Sequence, residues 1–351
     1  MPAINLKILQ ACGFVILGLR ERRFCNNKAL MEILFVKLGA MGDVVNTLPL
    51  AIALKERLGA RIHWLVEPLS LPLVAEHPAV DEVILFERRR WAGSMRKVVT
   101  AVRAERFDIV LDLQRTIKSG SFALAADGKR RIGFDKARCK ELTWLFPFER
   151  IRPQDPKRHM LRQYLEFAEH LGVMGAEARW DIPVSGTHRF QLPGQYLVLN
   201  IGATKQANKW TEQGFADLSR QVEKKFGVPS VLTGGPEDRA MAQEIVRLGG
   251  SGLINLVGAT TLLELKEVLA RARAVVSCDT GPMHLAVALG RDVIALFGPA
   301  DPRRTGPFKG AVIQKETACA PCNRRSCDNP VCMLAITPAD VMERLEALWS
   351  A

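Results

Sequence analysis

Tyrosine is almost missing from this chain: two in 351 residues, within an aromatic content of 7%. Proteins that hold single-stranded nucleic acid lean on aromatic platforms for base stacking, so the scarcity argues against a nucleic-acid partner. Long apolar runs are missing too. Ile8–Leu19 is only about twelve residues, and a helix needs roughly twenty to cross a bilayer. A secretory signal fits poorly there, because Arg20, Arg22 and Arg23 follow the apolar stretch and no small-residue cleavage site stands out. Residues 1–30 read instead as an extension, either an interfacial anchor or sequence upstream of a start near Met31. There is no fixed-period repeat and no low-complexity tract. Acidic side chains are also in deficit, 37 against 49 Lys and Arg, for a formal net charge of +12. That balance favours an anionic partner such as an acidic membrane surface or a phosphorylated substrate.

What is present describes a globular protein: 48% hydrophobic and 25% charged residues, in a chain long enough for two domains. From Met31 onward short apolar runs alternate with helical spacing. Ile33–Val36, Ile62–Val66, Val83–Phe86 and Ile109–Leu113 read as strands, with helices over Asp43–Leu58 and Trp91–Phe107. A Pro/Gly-marked stretch, Ile182–Gly194, precedes a second series. Its strands are Tyr196–Ile201, Val228–Leu232, Leu253–Val257, Ala274–Cys278 and Val293–Phe297. Its helices are Glu212–Phe226, Glu237–Leu248, Leu262–Ala272 and a closing Pro338–Trp349. Alternation of this kind predicts right-handed βαβ units. The expected class is α/β, two Rossmann-like doubly wound parallel-sheet domains facing a cleft. Domains are expected over residues 31–185 and 190–335, with a C-terminal helix over 336–351.

Ligands of such sheets bind beyond the carboxyl ends of the strands, and the chemistry-bearing residues gather at those positions. Lys37-Leu38-Gly39-Ala40-Met41-Gly42-Asp43 follows the first strand. Asp43 there is either an N-cap of the next helix or a general base, both of which a carboxylate does well. The run lacks the third glycine of a dinucleotide fingerprint, which argues against a dehydrogenase. In the second half, Asp279-Thr280-Gly281-Pro282-Met283-His284 follows a strand and opens a helix, a ready anion site. With Phe297-Gly298-Pro299 it resembles the walls of a phosphate pocket. Gly202-Ala203-Thr204 through Asn208-Lys209-Trp210 is a small-residue turn with a lysine suited to a pyrophosphate, or else a solvated loop. Gly234-Gly235-Pro236 is similarly placed.

Lys37 to Pro49, Asp112-Leu113-Gln114, Lys209-Trp210, Gly234-Gly235 and Asp279-Thr280-Gly281 with His284 resemble, in order, the motif series of the family-9 glycosyltransferases. These are the bacterial lipopolysaccharide heptosyltransferases. The likeness runs from about Met31 to the C-terminus. It implies the GT-B architecture, an N-terminal acceptor domain, a C-terminal nucleotide-sugar domain, and an inverting reaction needing no metal or other cofactor. It implies ADP-heptose as donor and a lipopolysaccharide inner core of the Kdo-lipid A type as acceptor. The enzyme would then be cytoplasmic, in peripheral contact with the inner membrane. A family-9-like transferase using another nucleotide sugar or another cell-surface glycan is the alternative.

By the same likeness Asp43 is the catalytic base. Thr204, Lys209, Asp279, Thr280, Gly281 and His284 fall where the donor binds. Lys37, Gly42 and Lys118 fall at the acceptor. Arg88, Arg89 and Arg90, with Arg96 beyond Trp91, lie where similar enzymes hold a phosphorylated lipid acceptor; the residues alone also fit a solvated basic helix. Cys319, Cys322, Cys327 and Cys332 depart from the simplest family pattern. Their spacing fits a zinc knuckle, buried reduced thiols or disulfides, with no catalytic role implied.

Overall fold

The computed structural model describes residues 30–350, apart from 185, 187, 188 and 251. The extension over residues 1–29 lies outside the described residues. Two compact units form: the described residues up to Ala40 with Thr47–Pro156 and Gln163–Arg179, and Met41–Asn46 with Lys157–Arg162 and the described residues from Trp180 on. Each is built on one fully parallel six-stranded sheet.

The first sheet holds β1 (Glu32–Val36), β2 (Arg61–Val66), β3 (Glu82–Leu85), β4 (Arg106–Asp112), β5 (Asp127–Gly133) and β6 (Glu149–Arg150), in the order β3-β2-β1-β4-β5-β6. Its helices are α1 (Met41–Leu58), α2 (Leu71–Val74), α3 (Trp91–Ala104), α4 (Ile117–Ala125) and α5 (Met160–His170). The second sheet holds β7 (Leu197–Asn200), β8 (Ser230–Thr233), β9 (Leu253–Asn255), β10 (Ala274–Cys278), β11 (Asp292–Phe297) and β12 (Ala311–Gln314), in the order β12-β11-β10-β7-β8-β9. Around it pack α6 (Glu212–Phe226), α7 (Arg239–Gly249), α8 (Leu262–Arg271), α9 (Gly281–Ala288), α10 (Pro302–Thr305), α11 (Val331–Leu334) and α12 (Pro338–Ser350). Both orders are those of a doubly wound dinucleotide-type sheet. The chain reverses direction between β1 and β4 in one unit, and between β7 and β10 in the other. The expected α/β class, two doubly wound parallel sheets, is therefore the one formed.

The central strands form because helices cover both faces, so they are apolar throughout rather than alternating. Ile33, Leu34, Phe35 and Val36 are all buried, as are Val293 through Phe297. Helix ends are written locally. Thr211 accepts a hydrogen bond from Gly214 N at the start of α6, and Thr261 with Glu264 forms a capping box on α8. Gly59 (φ 63°) and Gly227 (φ 64°) close α1 and α6 in the left-handed region.

Several boundaries move from their expected places. The basic helix ends at Ala104 rather than Phe107. Phe107 starts inward from β4, almost fully buried with its ring edge-on to His63, and burial of an aromatic outweighs extension of the helix. Asp43 is the third residue of α1, not its cap; Ala40 takes that place without a side-chain bond. Among the described residues no helix is long and apolar enough to cross a membrane.

At the amino ends of β1, β2 and β3 a charged cluster ties the strands together. His63 Nε2 lies 2.6 Å from Glu32 Oε2 and its Nδ1 3.4 Å from Glu82 Oε2, while Arg61 reaches both carboxylates. Burial alone would lower the His63 pKa, but the hydrogen bonds and charges of Glu32 and Glu82 override it and raise it to about 9. A folded value above the ordinary 6.5 means the cluster stabilises fully below pH 6.5 and is lost as pH rises through about 9. His63→Gln is expected to flatten that alkaline loss. Urea midpoints of both proteins from pH 6 to 10 check this; parallel curves would refute it.

Candidate active site

In the second unit two helix starts pack together. An added Cβ at Gly42 would lie 2.5 Å from His284 Cδ2, and one at Gly281 2.9 Å from Met41 Cβ. The glycines are therefore what lets α1 and α9 begin in contact. Four residues after Gly42, Asn46 Nδ2 donates to His284 Nδ1 at 3.4 Å, which leaves the imidazole proton on Nε2. Burial drives the His284 pKa down to about 4, His159 adds to this, and Asp43 opposes it. His284 is thus a neutral hydrogen-bond donor at physiological pH. Asp43 stands half-buried beside it, in the first turn of α1, where the helix dipole favours a carboxylate.

Asp279 follows β10 and is half-buried. Burial raises its pKa to about 6, against the pull of Lys205 and of the Asn208 amide, which donates to Asp279 Oδ2 at 3.1 Å. Most of it is ionised at neutral pH. Thr280 caps α9 with no side-chain bond to the helix, leaving its hydroxyl uncommitted to capping, and Gly281-Pro282 form the first turn. Asn208 is buried, and its Oδ1 has no hydrogen-bond partner among the described residues.

The loop after β7 presents Thr204 to solvent. Lys209 Nζ is held at 2.5 Å by Asp238 Oδ1, and the second Asp238 oxygen accepts from Gly235 N at 3.0 Å. An added Cβ at Gly202 would meet that oxygen at 2.7 Å. The Gly202, Gly234-Gly235 and Lys209 segments thus converge on one buried carboxylate, which the sequence reading did not include. Phe297-Gly298-Pro299 is braced from behind: Gln314 Nε2 donates to Gly298 O and Ala300 O, both at 2.9 Å. Of the four clustered cysteines, only Cys332 is buried; Cys319 and Cys322 are exposed and none is bridged. Buried thiols therefore describe one of the four, because this loop runs over the surface. No three His, Cys, Asp or Glu side chains among the described residues are grouped to hold a metal ion.

In the first unit the reversal point lies between β1 and β4. Lys37 leaves β1 fully buried, its ammonium 3.5 Å from Leu113 O and 5.1 Å from the centre of the Tyr164 ring. Lys118 Nζ bonds Glu67 Oε1 at 2.8 Å and lies over the Phe86 ring. Arg88, Arg89 and Arg90 form an exposed turn before α3, with no ion pair to another described residue.

Lys37, Thr204, Lys209 and Asp279–Gly281 follow the carboxyl ends of strands at the two reversal points, Gly234-Gly235 and Phe297–Pro299 follow the neighbouring β8 and β11, and the arginines follow the edge strand β3. The model of the glycosyltransferase family 9 (heptosyltransferase) matches residues 95–332, well over half of the chain. The chain belongs to glycosyltransferase family 9. Lipopolysaccharide heptosyltransferase 1 of Pseudomonas aeruginosa is 28% identical over 357 residues, covering 92% of this chain and 99% of the relative. The structure of E. coli heptosyltransferase WaaC with ADP is 26% identical with a TM-score of 0.75, covering 91% of this chain and all of that one. Its structure with ADP-2-deoxy-2-fluoro heptose gives 27% and 0.72, over 90% of this chain and 99% of that one. This family-9 member is a glycosyltransferase of the GT-B fold.

Asn46, Lys205 and Asp238 are candidate site residues that sequence reasoning did not single out, whereas Asn208 stood within the quoted Asn208-Lys209-Trp210 run. Asn46 carried a signal, since it stands one helical turn after Asp43. The others lie within or beside quoted motifs but bear no spacing that marks them.

Proposed function

We propose that this enzyme moves heptose from ADP-heptose to an inner-core lipopolysaccharide acceptor with inversion, on the cytoplasmic side of the inner membrane and in peripheral contact with it. The observation that carries the reading is the pairing of the α1 and α9 starts, which sets Asp43 beside a neutral His284 and close to the Asp279–Gly281 turn. The ligands of the similar WaaC structures, ADP and a fluorinated ADP-heptose, support the donor.

In this reading the Asp43 carboxylate takes the proton of the acceptor hydroxyl. That oxygen bonds to the anomeric carbon as its bond to the diphosphate breaks, and ADP departs from the opposite face. The diphosphate gathers charge as it leaves, so donors already aimed at it lower the barrier. The backbone N–H groups opening α9, the Thr280 and Thr204 hydroxyls and Lys209 are those donors. Asp238 keeps the Lys209 ammonium in position. Asp279, steadied by Asn208, accepts from sugar hydroxyls, and His284 donates through Nε2. Lys37, being buried, supports the acceptor side electrostatically, while Gly42, Lys118 and Arg88–Arg90 meet the phosphorylated acceptor.

Purified protein mixed with ADP-heptose and core-truncated lipopolysaccharide should release ADP and add one heptose mass to the acceptor. UDP- and GDP-sugars should not substitute. No ADP release with any truncated core would refute the reading.

A further inference from the structure

The carboxyl edge of the first sheet carries a surface that sugar transfer leaves unexplained. Five apolar side chains there face solvent: Leu69 (67%), Ile117 (51%), Leu142 (60%), Trp144 (40%) and Leu145 (63%). They come from the separate connections that follow β2, β4 and β5, and hydrogen bonds tie those connections together. Ile117 N donates to Glu141 Oε2 at 3.0 Å, joining the start of α4 to the loop of Leu142. The neighbouring Lys118 reaches Glu67, two residues before Leu69, and covers Phe86, two residues before Arg88. The apolar side chains thus belong to one rim rather than to scattered points.

Two features set this rim apart from ordinary exposed leucines. Glu141 and Leu142 adopt φ values of 49° and 60°, a left-handed conformation that a branched side chain resists. The pair opens the short turn Thr143–Leu145 and holds three large apolar side chains toward water, an outlier of the kind that points to a functional segment. The rim is also bordered by positive charge. Arg88, Arg89 and Arg90 are exposed, and the Lys136 ammonium lies 4.5 Å above the Trp144 ring. The carboxylates within it are already engaged, Glu67 by Lys118 and Glu141 by Ile117 N.

We infer that this rim seats on an anionic lipid surface. Trp144, Leu142 and Leu145 enter the boundary between headgroups and acyl chains, where an amphipathic indole is favoured. The arginines and Lys136 pair with lipid phosphates, as the net charge of +12 also favours. Exposed apolar side chains bordered by positive charge match acyl chains beneath an anionic headgroup layer. The inference rests on the proposed function for why the enzyme needs a lipid surface, since that function has a lipid-borne acceptor, but not for where the surface lies.

Sedimentation of the full chain with vesicles of phosphatidylcholine, with and without phosphatidylglycerol, tests this without donor or acceptor. The wild type is expected to bind the phosphatidylglycerol vesicles, to prefer them over phosphatidylcholine, and to release with salt. The triple variant Leu142→Ser, Trp144→Ser, Leu145→Ser should bind at least about tenfold more weakly. On a soluble, delipidated core acceptor it should turn over as the wild type does. A wild type that ignores phosphatidylglycerol, or a triple variant that binds equally well, overturns the inference. Should the triple variant not fold, Leu145→Ser alone carries the comparison, with weaker binding expected and unchanged binding fatal. Vesicle binding without heptose transfer to any acceptor would sink the proposed function and leave the rim standing.

Discussion

Asp43→Asn is expected to lower turnover by about 10²–10⁴-fold, the contribution of a positioned general base, while ADP affinity stays unchanged. Asparagine keeps the shape of the side chain but cannot take up the acceptor proton. Its folding cost is small, because a first-turn carboxylate contributes only about 0.3–1 kcal/mol through the helix dipole. His284 already stays neutral at physiological pH with Asp43 ionised, so removing that charge does not change its protonation state. The proposed donor contacts come from α9 and the loop after β7, outside the substituted residue. ADP release rates with saturating donor and acceptor, set against calorimetric ADP titrations, separate the two effects. Turnover like that of the wild type would take Asp43 out of the mechanism, and a parallel loss of ADP affinity would make its role structural.

The largest stability effect is expected at Arg138. Its guanidinium lies between Asp135 and Glu166, with side-chain exposures of 1%, 5% and 4%. One nitrogen bonds Asp135, another stands 2.5 Å from Glu166 Oε2, and a third donates to Arg152 O at 3.1 Å. The group also covers the Phe134 ring. Arg138→Ala would take from two buried carboxylates the cation they share, and breaking a buried pair in this way costs about 3–5 kcal/mol. Urea unfolding should show that loss, with much of it recovered when Asp135→Asn and Glu166→Gln are added. A loss below about 1 kcal/mol, the scale of an exposed ion pair, would mean that water reaches the cluster.

Much of the fold could be read from the chain because parallel strands covered on both faces are apolar from end to end. Ile33–Val36 and Val293–Phe297 announce themselves in this way. β5 does not: Asp-Gly-Lys-Arg-Arg-Ile-Gly exposes most of its length, and only its last two residues are buried. It pairs with β4 on one side and the two-residue β6 on the other, so tertiary pairing rather than composition makes it a strand. β12, half-covered at the opposite sheet's edge, escaped for the same reason. The candidate site was legible where glycines mark a close approach, at Gly42 and Gly281. It was illegible where a polar side chain finds its partner through space. Asn46 and His284 meet across 238 positions, and Asn208 and Asp279 across 71; no local spacing records such pairs.

The sequence by itself determined the two βαβ series, their helix caps and the glycine turns at the strand ends, since these follow from burial and backbone preference within a few residues. Only the tertiary structure decided the state of the charged groups. It buried Lys37, bound Lys209 to Asp238, made His284 neutral and raised His63. Desolvation and pairing set those states, and both depend on which distant segments close around a side chain.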